Sequence, residues 1–208
     1  MNHLTNTEKY IIPTSGGVYH SITSYSNKKR MDLPGFIRNI LSYKQSPRID
    51  SSDMEQWTKG SDIAQLALDN NWVTLEDQPI SAPEGRLEDI LPSLLPPLSG
   101  KSKVLLADDQ GFVICSVGYA DDLTSQLAAF TADMTSLLER HSALLTEHLS
   151  TGTTATGIIG AGGESRLGNW PLFIREQPFV LAIEGEPHFS ADEFKQLVWL
   201  LILRYQQN

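Results

Sequence analysis

Cysteine is almost missing from this sequence. Cys115 stands alone among 208 residues, so no disulfide can close within the chain, and a reducing, cytoplasmic setting is expected. Long apolar runs are missing too. The richest, FKQLVWLLILRY at 194–205, falls well short of the ~20 residues that cross a bilayer, so no membrane span is expected. The first residues lack the basic-then-apolar order of a signal peptide. Charged residues make up only 20% against 40% hydrophobic, a balance that excludes a disordered chain and fits a globular one.

Positive charge is the scarcer sign. Sixteen Lys and Arg face twenty-five Asp and Glu, for a net charge of −9. Residues 1–60 carry eight against five, a net of +3, and residues 61–208 carry eight against twenty, a net of −12. A duplex-DNA reader needs several cations on one surface. Lys28, Lys29 and Arg30 form the only basic cluster. They are a candidate anion-binding site, and equally a solvated basic arm.

Catalytic signatures are also lacking. No lysine follows a glycine-rich loop in the manner of a nucleotide hydrolase. GAGGES puts Ser165 where a dinucleotide fingerprint wants its third small residue; a hairpin turn accounts for it. His141 and His148 are seven apart, too far for a two-ligand clamp at i and i+4. Cys115 sits mid-strand with no histidine near it in sequence and reads as a small buried hydrophobe. No enzyme, metal or cofactor is expected.

What is present suggests three regions: an arm over 1–30, a small helical unit over 31–80, and an α/β domain over 86–208. Gly16-Gly17 between short β-like runs predicts a hairpin or extended arm. In the helical unit, Phe36, Ile37, Ile40 and Leu41 have helical spacing, as do Ile63, Leu66 and Ala67, and Asn70-Asn71 ends the last helix before a strand, WVTLE. Three helices and a strand follow the order of a winged helix; a helical cap is the other reading. The helix that would read DNA offers Asp62, Gln65, Asp69 and Asn70 and no cation, which suits phosphate poorly.

In the last region, VLLADDQGFVICSVG predicts a hairpin. Gly111 is free to take positive φ in its turn, and Asp108 can bond its own backbone. Apolar residues on both faces predict that both strands lie inside a covered sheet. A long helix over 122–149 follows. Leu123, Leu127, Phe130, Met134, Leu137, His141, Leu144 and His148 recur in alternating steps of four and three, a coiled-coil seam. A second stripe, Thr124, Ala128, Thr131, Thr135, Leu138, Ser142 and Leu145, is smaller. One face must cover the sheet; the other is left for a partner helix. At nearly thirty residues the rod would reach ~40 Å, more than a small sheet needs, which points to a second subunit. A glycine-rich strand over 154–160, a turn at ESRLGN, a strand at WPLFIREQ whose Pro171 argues for an edge or a strand start, the strand FVLAIEGE and a final helix complete the order.

Helix, strand, strand, long helix, three strands, helix: this order resembles the roadblock / dynein light chain family, a profilin-like fold, over about residues 86–208. The resemblance rests on VLLADDQGFVICSVG leading into an acidic helix start and on the ending FVLAIEGEP followed by FKQLVWLLILR. It implies an α+β fold with a five-stranded antiparallel sheet flanked by helices, preceded here by the small helical unit. It also implies a non-enzymatic dimeric scaffold, with the long middle helix and neighbouring strand at the interface. Such domains often serve small Ras-like GTPases or motor complexes, and bacterial ones help regulate a polarity GTPase. Leu123, Leu127, Phe130, Met134, Leu137, His141 and Ile158 are then the expected interface of a homodimer, with a protein partner such as a small GTPase. The alternative is a DNA-binding transcriptional regulator with an N-terminal winged helix and a C-terminal sensor or dimerisation domain.

Overall fold

The computed structural model describes residues 9–23, 32–58, 62–149, 155–174 and 177–205. Lys28, Lys29 and Arg30 lie outside them. The chain divides into two compact units, residues 1–84 with 195–208, and residues 85–194.

The first unit opens with strand β1 (Tyr10–Pro13) and helix α1 (Ser15–Ile22). Helices α2 (Leu33–Ile40), α3 (Glu55–Thr58) and α4 (Ile63–Asp69) lead to strand β2 (Val73–Glu76). β1 and β2 pair antiparallel, Tyr10 opposite Glu76 and Pro13 opposite Val73. The hairpin expected at Gly16-Gly17 is instead the first turn of α1. Thr14 caps it: its hydroxyl accepts from the Gly17 amide at 3.1 Å and donates to the Asn71 carbonyl at 2.8 Å. Gly17 is needed for closeness, not for turning, since a Cβ there would stand 2.2 Å from the Trp72 carbonyl oxygen. Local sequence cannot separate these two uses of glycine. α4 ends as expected, with Asn71 in the left-handed region at φ 55° and the Trp72 amide donating back to the Ala67 carbonyl.

The second unit begins with helix α5 (Leu87–Leu94), which carries Pro92 and stops at Leu95 as the prolines predict. Strands β3 (Val104–Asp108) and β4 (Val113–Val117) form the hairpin. Helix α6 (Asp121–Arg140) follows, then strands β5 (Thr156–Ile159), β6 (Ser165–Ile174) and β7 (Gln177–Glu184). The sheet is five-stranded and antiparallel throughout, in the order β4-β3-β7-β6-β5. Helix α7 (Asp192–Arg204) crosses the division between the units. Within the first unit its Trp199 indole donates to the Tyr43 carbonyl at 2.8 Å. The molecule is therefore a mixed α+β protein built on a five-stranded antiparallel sheet.

Three local expectations change, and one choice the sequence left open is decided. The hairpin does not lie wholly inside the sheet: β3 is central and buried, but β4 is an edge strand with Phe112 and Val113 exposed, because the last strand, β7, takes the place on the far side of β3. ESRLGN is not a turn but the start of β6, and the chain reverses earlier, at Gly160–Glu164. The long rod stops being α-helical at Arg140. His141 leaves the helical region, and the Leu149 amide then reaches the Leu144 carbonyl five residues back, a widened turn that seam spacing does not reveal. Finally, the small stripe is what covers the sheet. Ala128, Thr131 and Thr135 are buried while most of the large seam faces outward. The small side chains let the helix backbone sit close to the hairpin turn, where a Cβ on Gly111 would stand 3.3 Å from the Ala128 carbonyl oxygen.

Candidate functional site

The hairpin turn forms as its residues predict. Gly111 takes φ +83°, and the Asp108 carboxylate accepts from the amides of Gln110 at 3.0 Å and Phe112 at 2.8 Å. These bonds commit Asp108 to the backbone. Among the described residues no group of three or more His, Cys, Asp and Glu is placed to hold a metal. Cys115 is half-buried on β4; burial pushes its thiol up, against a weaker lowering by a backbone bond at Ser116. That direction opposes thiolate formation.

The α6 side of the sheet carries Leu105, Ala107 and Ala182, with Leu127 and Ala128 of the helix packed on them. The hydroxyls of Thr131 and Thr135 turn back to carbonyls one turn earlier, Leu127 and Thr131 respectively, so their burial leaves no donor unmet. Asn169 differs. It is 1% exposed on β6, and neither its amide nitrogen nor its oxygen has a partner among the described residues. Thr156, its cross-strand neighbour on β5, has a buried hydroxyl in the same condition.

Outward-facing residues of α6 are apolar along one line. Leu123 is 48% exposed, Phe130 37% and Leu137 44%. Met134 between them is half-buried, Leu127 is buried, and His141 is exposed at the end of the helix. β5, which also packs against α6, adds Ile158 and Ile159 at 49% and 61%. Of the seven residues expected at an interface, the fold thus leaves four exposed or half-buried on α6, His141 exposed just past its end, and Ile158 exposed on β5. Only Leu127 is turned into the core. Ile159 was missed by sequence reasoning, although its exposed neighbour Ile158 was marked; alternation predicts opposite faces, and only the edge position leaves both open.

The two sheet edges are unlike. On β4 the pairing passes from Leu106 with Cys115 to Ala107 with Val113, which leaves Ile114 as an extra residue. Such a bulge twists an edge away from further pairing. On the other side the irregularity falls on β6, where Ile158 pairs with Leu167 and Ile159 with Ser165, so β5 itself runs unbroken as Thr156-Gly157-Ile158-Ile159. It carries no proline or charge of the kind that guards a free edge. Pro171 of β6 pairs with Val180 of β7 but lies beyond the last residue that β5 pairs, Asn169, so β6 is locally open on one side there, as a proline in a strand requires.

Near the start of β3, Lys101 and Lys103 reach the Glu184 carboxylate at 3.3 and 3.2 Å. Partial burial alone would raise that carboxyl, but the two lysines hold it below its ordinary value. Lys103 also stands 5.8 Å from the centre of the Tyr119 ring. The Tyr119 phenol is pushed up to about 12, first by burial and then by the charge of Glu184, and its hydroxyl is buried without a partner among the described residues. This cluster ties strand ends together.

In the first unit, α4 carries Gln65 donating to Asp69 at 2.9 Å and no Lys or Arg. Among the described residues no helix is long and apolar enough to cross a membrane.

No protein-family model matches the chain, and no curated protein matches it. Among solved structures, it is similar to a Roadblock/LC7 domain from Streptomyces avermitilis. The identity is 11% and the TM-score 0.38, over 56% of this chain and 93% of that one. The fold described above stands on strand order and register, independently of that likeness.

Proposed function

We propose that the protein is a non-catalytic, cytoplasmic binding module that self-associates through α6 and β5 and serves as a platform for a protein partner. The observation that carries this reading is the pairing of an outward apolar line, Leu123, Phe130 and Leu137, with an unguarded edge strand bearing Ile158 and Ile159. Moving a half-exposed Leu or Phe out of water is worth on the order of 1 kcal/mol, and edge pairing adds main-chain hydrogen bonds that no side-chain substitution can supply. A small GTPase as the further partner is supported by the family resemblance in the order of elements, and the first unit is then a docking or regulatory module.

Light scattering on the full chain tests the core of this reading. The expected mass is twice the 23.1 kDa of one chain. Phe130→Glu and Leu137→Glu alter exposed positions, so each should keep the wild-type circular dichroism while shifting the mass to that of a monomer. A wild-type protein that stays monomeric at tens of micromolar overturns the reading.

A further inference from the structure

One apolar surface of the second unit takes no part in the self-association proposed above. Phe112, 71% exposed, and Val113, 40% exposed, lead into β4, the sheet edge opposite β5. Val113 pairs with Ala107, whose side chain packs with Leu127 and Ala128, so it stands on the α6 side of the sheet. Beside it the hairpin turn rests on α6: a Cβ on Gly111 would lie 3.4 Å from the Ala132 side chain and 3.5 Å from Ala129. Ala129 is exposed and Ala132 half-buried. Ser125 and Ser136, one turn to either side on that flank, are exposed. The flank is thus a low shelf of small side chains next to two large apolar ones.

Its surroundings carry charge of one sign. From Val104 to Glu139 the chain holds Asp108, Asp109, Asp121, Asp122, Asp133 and Glu139 and no Lys or Arg. Asp109 sits in the turn and Asp133 follows Ala132 on α6; neither has an ion-pair partner among the described residues. Lys101 and Lys103 are at the far end of β3, Lys103 ~17 Å from Asp108 along the strand, and both are held by Glu184. Arg140 lies ~10 Å beyond Asp133 along the helix.

We infer that this shelf docks a segment of a partner protein in which an apolar side chain is flanked by Lys or Arg. The inference rests on the platform reading above and adds the face and the chemistry of the partner. Phe112 and Val113 supply apolar area for the anchor. The uncompensated carboxylates attract cations and hold off the phosphates of nucleic acid and anionic lipid. They disfavour another copy of this acidic unit for the same reason. The extra residue Ile114 interrupts the β4 ladder, so the segment is held by side chains rather than as an added strand. β3, β7 and β6 separate the two edges, so the segment does not compete with a second chain for β5.

Random twelve-residue peptides displayed on phage and selected on the full chain test this. Enriched peptides should carry two or more Lys or Arg around a Leu, Met or aromatic residue. A labelled synthetic peptide of the enriched sequence should bind about tenfold more weakly at 500 than at 50 mM salt, read by anisotropy. Phe112→Ser should weaken binding about tenfold, and Asp109→Asn and Asp133→Asn about threefold each. Circular dichroism and the mass by light scattering should match wild type in all three, since Phe112 and Asp133 are exposed and Asp109 is half-buried. A photo-reactive group beside the apolar residue should crosslink to Phe112, Val113, Ala129 or Ala132. A library that yields acidic or uncharged peptides, or none, overturns the inference. So do crosslinks on Leu137 or Ile158, or a Phe112→Ser variant that binds as the wild type does. A mass above that of a dimer that falls in Phe112→Ser gives the face to further copies of this chain and overturns it too. Self-association is judged separately, by whether the wild type is a monomer.

Discussion

The two units differ in where they put charge and apolar surface. Counted over the sequence, residues 1–84 with 195–208 hold ten Lys and Arg against ten Asp and Glu, a net of zero. Residues 85–194 hold six against fifteen and so carry the whole −9. Among the described residues, the first unit exposes one large apolar side chain, Leu66. The second exposes Phe112, Val113, Leu123, Phe130, Leu137, Leu144, Leu149, Ile158 and Ile159. The more acidic unit is thus also the stickier one. Net charge keeps such a surface from associating at random, which leaves geometry and local charge to choose the partner. The neutral unit has little outward apolar surface to offer and spends its aromatic residues inward, as with Phe36 against Trp57 at 5.5 Å.

Breaking each unit at a glycine sharpens the contrast most. Gly17→Ala should cost about 3 kcal/mol, read by urea unfolding, because the new Cβ would meet the Trp72 backbone at 2.2 Å, and that backbone is held on both sides by hydrogen bonds to Thr14 and Ala67. Gly168→Ala meets an equally short obstacle, 2.0 Å, but the obstacle is the far end of the Trp170 ring. A ring can rotate, so the expected loss is about 1 kcal/mol. Equal losses would mean that Trp170 is locked, its edge contact with Phe189 at 5.2 Å being the reason.

A smaller effect, of opposite sign, is expected beneath α6. Asn169→Val removes two unpartnered polar atoms from a buried site, and stability should hold or rise by about 1 kcal/mol. A clear loss would show that the amide is bonded in solution, through water or a second copy.

The smallest effects are pH-dependent. With its folded value raised above the ordinary 10 to about 12, Tyr119 gives its full contribution below pH 10. It loses that contribution as pH climbs toward 12, because the unfolded chain releases the proton first. Tyr119→Phe should flatten that alkaline loss, as followed by thermal melts. Glu184 has the opposite sign. Its lowered value means that its contribution is present above the ordinary carboxyl range and disappears as pH falls through the folded value. Glu184→Gln should reduce the acid sensitivity slightly, since the lysine partners are well solvated.

Much of the second unit was legible because its cues are local. The Asp108–Gly111 turn, the halt of α5 after Pro92, and the two-stripe pattern of α6 each depend on residues a few positions apart. Which α6 stripe would face the sheet was not legible. Both stripes have helical period, and only the close approach at Gly111 selects the small one. The edge position of β4 was hidden because the other side of β3 is taken by β7, some seventy residues further on, while ESRLGN pairs with nearer strands, β5 and β7, that its own turn-like residues do not reveal. In the first unit, Gly16-Gly17 carried a turn signal that the contact with Trp72 overrode.

The sequence by itself determined most elements of residues 85–194 and their order, the acidic character of that stretch and the absence of a disulfide, since composition, spacing and turn chemistry act within a few residues. Only the tertiary structure decided that β7 lies beside β3, that Leu123, Phe130 and Leu137 are left in water, and that β5 keeps an open edge. Exposure is a property of what else packs nearby, and packing is settled by contacts between residues that the chain order keeps far apart.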